Sequence, residues 1–190
     1  QNTNRSVLMK IKTLSIRFIL GLSVSIGLTS AAFAIPDNLY FHGILVDEPC
    51  TIKPGDETVV LDFGNIPDKN LYAYKRTPSK LFQLRLSECD LSIGKSVKIT
   101  FKGEENQAMA GEGFLAISPG SQASGIAVGL ESENGNALPI NKETDKMSLT
   151  AGDTILNFYA FIQGEPDAIA NKSIKRGPFS AIATFYLNYD

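Results

Sequence analysis

Gly177-Pro178-Phe179-Ser180-Ala181-Ile182-Ala183-Thr184-Phe185-Tyr186-Leu187-Asn188-Tyr189-Asp190 closes the sequence, and its reading decides the fold. Phe179, Ala181, Ala183, Phe185, Leu187 and Tyr189 recur at every second position, the period at which side chains of a β-strand share a face. Termini are commonly frayed and polar, whereas this stretch stays apolar to its penultimate residue, which predicts a strand tied into a sheet. Two placements fit that pattern. The stretch is a central core strand, or it is a long apolar strand near a sheet edge that invites pairing with another chain.

The same period recurs upstream. Phe82, Leu84 and Leu86 alternate with Gln83 and Arg85, and Val97, Ile99 and Phe101 with Lys98 and Lys102, so each stretch has one buried and one wetted face. Strands are predicted at Thr58 to Phe63, Leu81 to Leu86, Ser96 to Lys102, Gly113 to Ile117, Gly125 to Glu131, Thr154 to Gln163 and Phe179 to Tyr189. Turn chemistry falls between most of them: Lys53-Pro54-Gly55-Asp56, Ser118-Pro119-Gly120, Asn134-Gly135 and Gly164-Glu165-Pro166-Asp167. Asn134-Gly135 is the strongest hairpin signal. No long stretch has helical periodicity, so the class is all-β, and two sheets packed face to face make an immunoglobulin-like sandwich. Lys142-Glu143-Thr144-Asp145-Lys146 reads as a solvated loop.

Residues 1–34 stand apart from this pattern. Basic Lys10, Lys12 and Arg17 precede the apolar run Phe18 to Leu28, and Ala32-Phe33-Ala34 follows, the build of a secretory signal peptide cut after Ala34. The apolar run of about eleven residues is short of the ~20 that a membrane-spanning helix needs. Gln1 to Leu8 precede Met9 and fit neither region. Cleavage would leave 156 residues, a length that suits one domain with one core.

The leader takes four of the 18 basic residues and none of the 20 acidic ones, which leaves the remainder with a net charge of about −6. An acidic chain without a basic run is repelled by phosphate backbones, so nucleic acid is not the expected partner. Export delivers Cys50 and Cys89 to an oxidising compartment, where one disulfide between them is the natural reading. In the chain-entropy model a loop of about 40 residues closed this way is worth roughly 4 kcal/mol. Two cysteines and the single His42 are too few for a structural metal shell, and no cofactor motif is present. Catalysis is not expected either. The one histidine, His42, sits in the arm ahead of the first cysteine, both cysteines are committed to the disulfide, and Glu104-Glu105 follow Lys102-Gly103 in a polar loop.

Between leader and first cysteine, Leu39-Tyr40-Phe41-His42-Gly43-Ile44-Leu45 reads as a strand with Leu39, Phe41, Gly43 and Leu45 on one face. A glycine within a strand marks close approach by another backbone or side chain, so this face suits a tight groove. It also suits an ordinary first strand pairing within its own domain.

The signal peptide, Phe41-His42-Gly43, the two cysteines, Leu61-Asp62-Phe63-Gly64, Ser124-Gly125-Ile126-Ala127-Val128, Phe158-Tyr159-Ala160 and the Gly177 to Tyr189 ending occur in the order found in chaperone-usher fimbrial subunits. The chain resembles that family over nearly all of residues 35–190. The resemblance implies an immunoglobulin-like sandwich lacking its final strand, with an N-terminal donor-strand arm at 35–49 and a pilin domain at 50–190. Cys50 and Cys89 would staple the first two strands, and Phe179, Ala181, Ala183, Phe185, Leu187 and Tyr189 would line the acceptor groove and bind the chaperone. Leu39, Phe41, Gly43 and Leu45 would be donated to a neighbour. The implied partners are a periplasmic chaperone, an outer-membrane usher and other pilin subunits, and the implied location is the cell-surface fimbria, reached through the periplasm. A short arm resembles that of minor tip or adaptor subunits. Alternatives are a tip pilin that itself binds a host receptor and a fibre-terminating subunit.

Overall fold

A computed structural model of the chain describes Leu45 and residues 47–190. The described residues form two antiparallel sheets. One runs, in spatial order, β1 (Lys80–Cys89), β6 (Gly152–Gly164), β4 (Ile126–Ser132) and β3 (Leu115–Ala116); the other runs β5 (Met147–Ser148), β2 (Ser96–Lys102) and β7 (Thr184–Tyr189). Two short helices, α1 (Asp68–Tyr74) and α2 (Pro166–Ala170), and a 3-10 turn at Gln107–Met109 lie in the connections. The core sits between the sheets, as alternation requires: Leu84 and Leu86 of β1 and Leu156 and Phe158 of β6 meet Val97, Ile99 and Phe101 of β2. Phe82, Phe101 and Phe158 bring their ring centroids to within 6.0 Å of one another, at separations that favour edge-on and tilted packing.

The Cys50–Cys89 disulfide is formed. A change of parity makes it possible. Inward residues of β1 are even-numbered as far as Leu86, and a bulge then places Glu88 at φ 54° and turns odd-numbered Cys89 inward. Cys50 meets it because neighbouring Thr51 and Ser87 exchange backbone hydrogen bonds of 2.7 and 2.8 Å along the outer edge of β1.

The sandwich forms as expected, with differences in detail. Thr58 to Phe63 is not a strand: it has no ladder partner among the described residues, although Leu61 and Phe63 rest half-buried on the core. Gly113 to Ile117 shrinks to two residues, because only Leu115 and Ala116 pair with β4. Phe179 to Tyr189 is laddered only from Thr184. The turn at Asn134-Gly135 is present, with Gly135 at φ 78° and its N–H donating to the Ser132 carbonyl at 2.9 Å. Lys142 to Lys146 is the exposed loop expected, and it is also tied to β2. Thr144 and Ile99 bond through both backbone N–H groups at 2.9 Å, and Glu143 pairs with Lys98 at 3.2 Å.

Candidate functional site: the opening beside the C-terminal strand

The geometry of β7 follows from one residue pair. Asp190 and Ser96 exchange N–H to carbonyl bonds of 2.9 and 3.2 Å, and the register continues from Val97 opposite Tyr189 to Lys102 opposite Thr184. Antiparallel alternation then turns the N–H and C=O groups of Thr184, Tyr186 and Asn188 toward β2 and those of Phe185, Leu187 and Tyr189 toward the opposite edge. No strand pairs with that edge among the described residues. The alternation persists before the ladder: the Pro178 carbonyl accepts from Gln122 and Ala123 at 2.9 and 3.3 Å, and the Ser180 carbonyl from Ser118 at 2.7 Å. Side chains obey the same parity. Phe179, Ala181, Ala183, Phe185, Leu187 and Tyr189 are half-buried against the core, while Ile182, Thr184, Tyr186 and Asn188 are exposed.

The facing wall is the stretch predicted as a strand. From Thr51 the chain follows the outer edge of β1 to Asp62, whose carbonyl accepts from the Lys80 ammonium, and onward to Ile66. Leu61, Phe63 and Ile66 pack on the core from this side, and Val60 is 87% exposed. At the Phe179 end lies a cavity of about 190 Å³ lined by Ile66, Leu71, Ile126, Ile162, Ile174 and Phe179, with Asp68 and Arg176 at its lip. The opposite end holds Tyr189, whose buried hydroxyl has no hydrogen-bond partner among the described residues. Burial pushes that phenol above its ordinary pKa, and the charge of Glu48 adds to the effect. There too the chain enters the domain: Pro49 packs on Gly94 so closely that a Cβ there would come within 2.5 Å of Pro49 Cγ.

The groove-lining residues expected from the sequence therefore come together. Leu39, Phe41, Gly43 and His42 lie outside the described residues, and Leu45 is fully exposed. Sequence reading missed the cavity, because Ile66, Leu71 and Ile174 belong to no periodic run, and it missed the Asp68–Arg176 pair, 108 residues apart. The carboxylate pair considered for acid/base work has a structural task. Glu105 accepts from the N–H groups of Gly111 and Gly113 at 2.8 and 3.1 Å and bridges Leu115. Among the described residues, no three His, Cys, Asp or Glu side chains cluster as metal ligands.

An immunoglobulin-like sandwich whose C-terminal strand has a long edge unpaired among the described residues, over an apolar floor, is the architecture of a domain completed from outside. A family model described as fimbrial protein matches residues 39–190, and the chain belongs to that family. It is 33% identical to the major MR/P fimbria protein of Proteus mirabilis, over 95% of this chain and 99% of that one. It is 30% identical to the fimbrial adapter PapK of Escherichia coli, over 84% and 92%. The crystal structure of the P pilus rod subunit PapA has the same fold, with a TM-score of 0.64 over 75% of this chain and 100% of that one at 22% identity. The chain is thus a structural subunit of a chaperone-usher fimbria and not an enzyme. It is exported through the periplasm to the cell surface and assembles with other pilin subunits by way of the chaperone and the usher.

Proposed function

We propose that the opening beside β7 is the acceptor groove of a donor-strand joint, lined by Phe179, Ala181, Ala183, Phe185, Leu187 and Tyr189. Residues 1–34 are the removed leader, and Leu39, Phe41, Gly43 and Leu45 of the arm 35–49 are what the chain donates to its neighbour. The observation that carries this reading is the row of outward N–H and C=O groups on Phe185, Leu187 and Tyr189, beside apolar side chains only half-buried. An added strand supplies both missing partners. Its backbone completes the ladder, and its alternate side chains enter the groove, each worth roughly 1.5 to 3 kcal/mol when large and fully buried.

Leu45 supports the donor role, being an apolar side chain of this arm that its own domain leaves 101% exposed. Polarity supports it too. The arm joins the domain beside Asp190, at the Tyr189 end of β7, whereas the cavity lies at the Phe179 end. Donor and acceptor at opposite ends make heterologous contacts that propagate instead of closing. An arm together with an open groove suits a subunit with a neighbour on each side, and not a terminator.

The test is denaturant unfolding of residues 35–190, disulfide formed, with and without a synthetic peptide of residues 35–49. The expected result is a domain that folds alone but unfolds at low denaturant, and that gains a much higher midpoint with the peptide. A stable monomer indifferent to the peptide would overturn the missing-strand reading.

A further inference from the structure

The cavity at the Phe179 end is walled by two segments remote in sequence, the start of α1 and the strap 174–177. Two contacts join them. The Tyr72 hydroxyl oxygen accepts the Ile174 N–H at 3.2 Å, and Asp68 Oδ2 accepts from Nε and Nη2 of Arg176 at 2.9 and 2.7 Å. The second contact sits in water's reach: the Arg176 side chain is 82% exposed and that of Asp68 22%. Ile66, Ile174 and Phe179 of the same cavity are half-buried and apolar. An apolar hollow thus has a charged lip tied across it.

We propose that the Asp68–Arg176 pair is a latch over this cavity that sets the rate at which a donor strand's apolar side chain enters. This rests on the reading of the β7 opening as an acceptor groove. The cavity volume, about 190 Å³, fits one large aliphatic or aromatic side chain. To admit it, the strap and α1 must part at the lip, and the ion pair is the contact that resists parting there. Exposed pairs are weak and are screened by salt, so the latch opens readily and opens sooner as ionic strength rises. The Tyr72–Ile174 bond is indifferent to salt and keeps the wall in place while the lip moves.

The experiment follows uptake of a fluorescently labelled peptide of residues 35–49 by stopped flow. It compares the wild-type chain with Asp68→Asn, Arg176→Gln and the exchanged pair Asp68→Lys/Arg176→Glu. Wild-type uptake is expected to quicken with salt. The single variants should take up peptide roughly two- to five-fold faster at low salt, the range an exposed pair allows, with the salt response lost. The exchanged pair should restore both the slower rate and the salt response. Uptake at equal rates with the same salt response overturns the latch alone, whereas no uptake by any chain overturns the groove assignment beneath it. Urea midpoints of the peptide-loaded chains should agree. A fall that tracks the rate would make the pair a brace and overturn the latch.

Discussion

Edge strand β3 is two residues long and is closed off by Glu105, which bridges Leu115 and binds the turn at Gly111 and Gly113. Edge strand β7 is six residues long, apolar on its inner face and unpaired on its outer edge among the described residues. β5 resembles β3 in having two residues, while β1 is ten residues long and among the described residues is backbone-bonded on its outer edge only where Thr51 and Ser87 exchange bonds. Short, charged or covered edges prevent chance pairing with other chains. Two edges are therefore short and guarded, the long β1 edge is tied to the chain beside it only at Ser87 and through the Lys80 ammonium, and one long edge has no partner among the described residues. That one lies over half-buried Phe185, Leu187 and Tyr189, so openness there is local and is matched to a hydrophobic floor.

The largest effect is expected on the wall that faces β7. Cys50–Cys89 ties the start of that wall to β1, so replacing both cysteines with serine should cost roughly 4 kcal/mol, or about three orders of magnitude in the folding equilibrium. Urea unfolding of the peptide-loaded chain measures it. An unchanged midpoint would mean that Leu61, Phe63 and Ile66 hold the wall by packing alone.

Amide exchange sharpens the comparison within β7 itself. In the unloaded chain the N–H groups of Tyr186 and Asn188, turned to β2, should be protected at least ten-fold, and nearer a hundred-fold, over those of Phe185, Leu187 and Tyr189. Loading the peptide should erase the difference. Equal protection in the unloaded chain would place a partner on the outer edge already.

Side chains should divide in the same way, by a smaller factor. Leu187→Asp puts a charge on the groove floor and should weaken peptide binding about ten- to a hundred-fold, whereas Tyr186→Asp, on the 54% exposed face, should stay within about three-fold. Titration of labelled peptide reads both. Similar losses would break the claim that one face of β7 makes the joint.

Much of this was legible in the sequence for a physical reason. Period-two alternation survives because burial acts on each residue locally, and it gave the faces of β1, β2 and β7 without any contact map. Parity at Cys89 was not legible, because the bulge at Glu88 depends on where β6 resumes pairing at Gly152. Thr58 to Phe63 misled because β-branched and aromatic residues announce a pleated surface but not a partner. The cavity and its latch were hidden for a third reason. They are made by residues from α1, β4, β6 and the strap, brought together by topology alone.

The smallest effect belongs to the outer face of the β1-β6-β4-β3 sheet, and it tests whether that face is energetically separate from the groove. There the Arg76 guanidinium lies 3.4 Å from the Phe161 ring centroid and donates to Glu131 at 3.0 and 3.1 Å, and Ser79 also bonds Glu131. Burial pushes the Glu131 carboxyl up, but hydrogen bonds from Arg76 and Ser79 and the charge of Arg76 outweigh it, so its pKa falls below the ordinary 4.5. A carboxylate held lower in the folded state than in the unfolded one stabilises fully above its ordinary value and loses that contribution as pH drops through the depressed one. Glu131→Gln should therefore cost about 1 kcal/mol near neutrality and flatten the acid limb of stability below roughly pH 4.5, with peptide affinity unchanged. Urea midpoints from roughly pH 3 to 7 decide the point. A variant with the wild-type acid limb would remove Glu131 from it, and a shift in peptide affinity would show that the closed face and the open edge are coupled through β6.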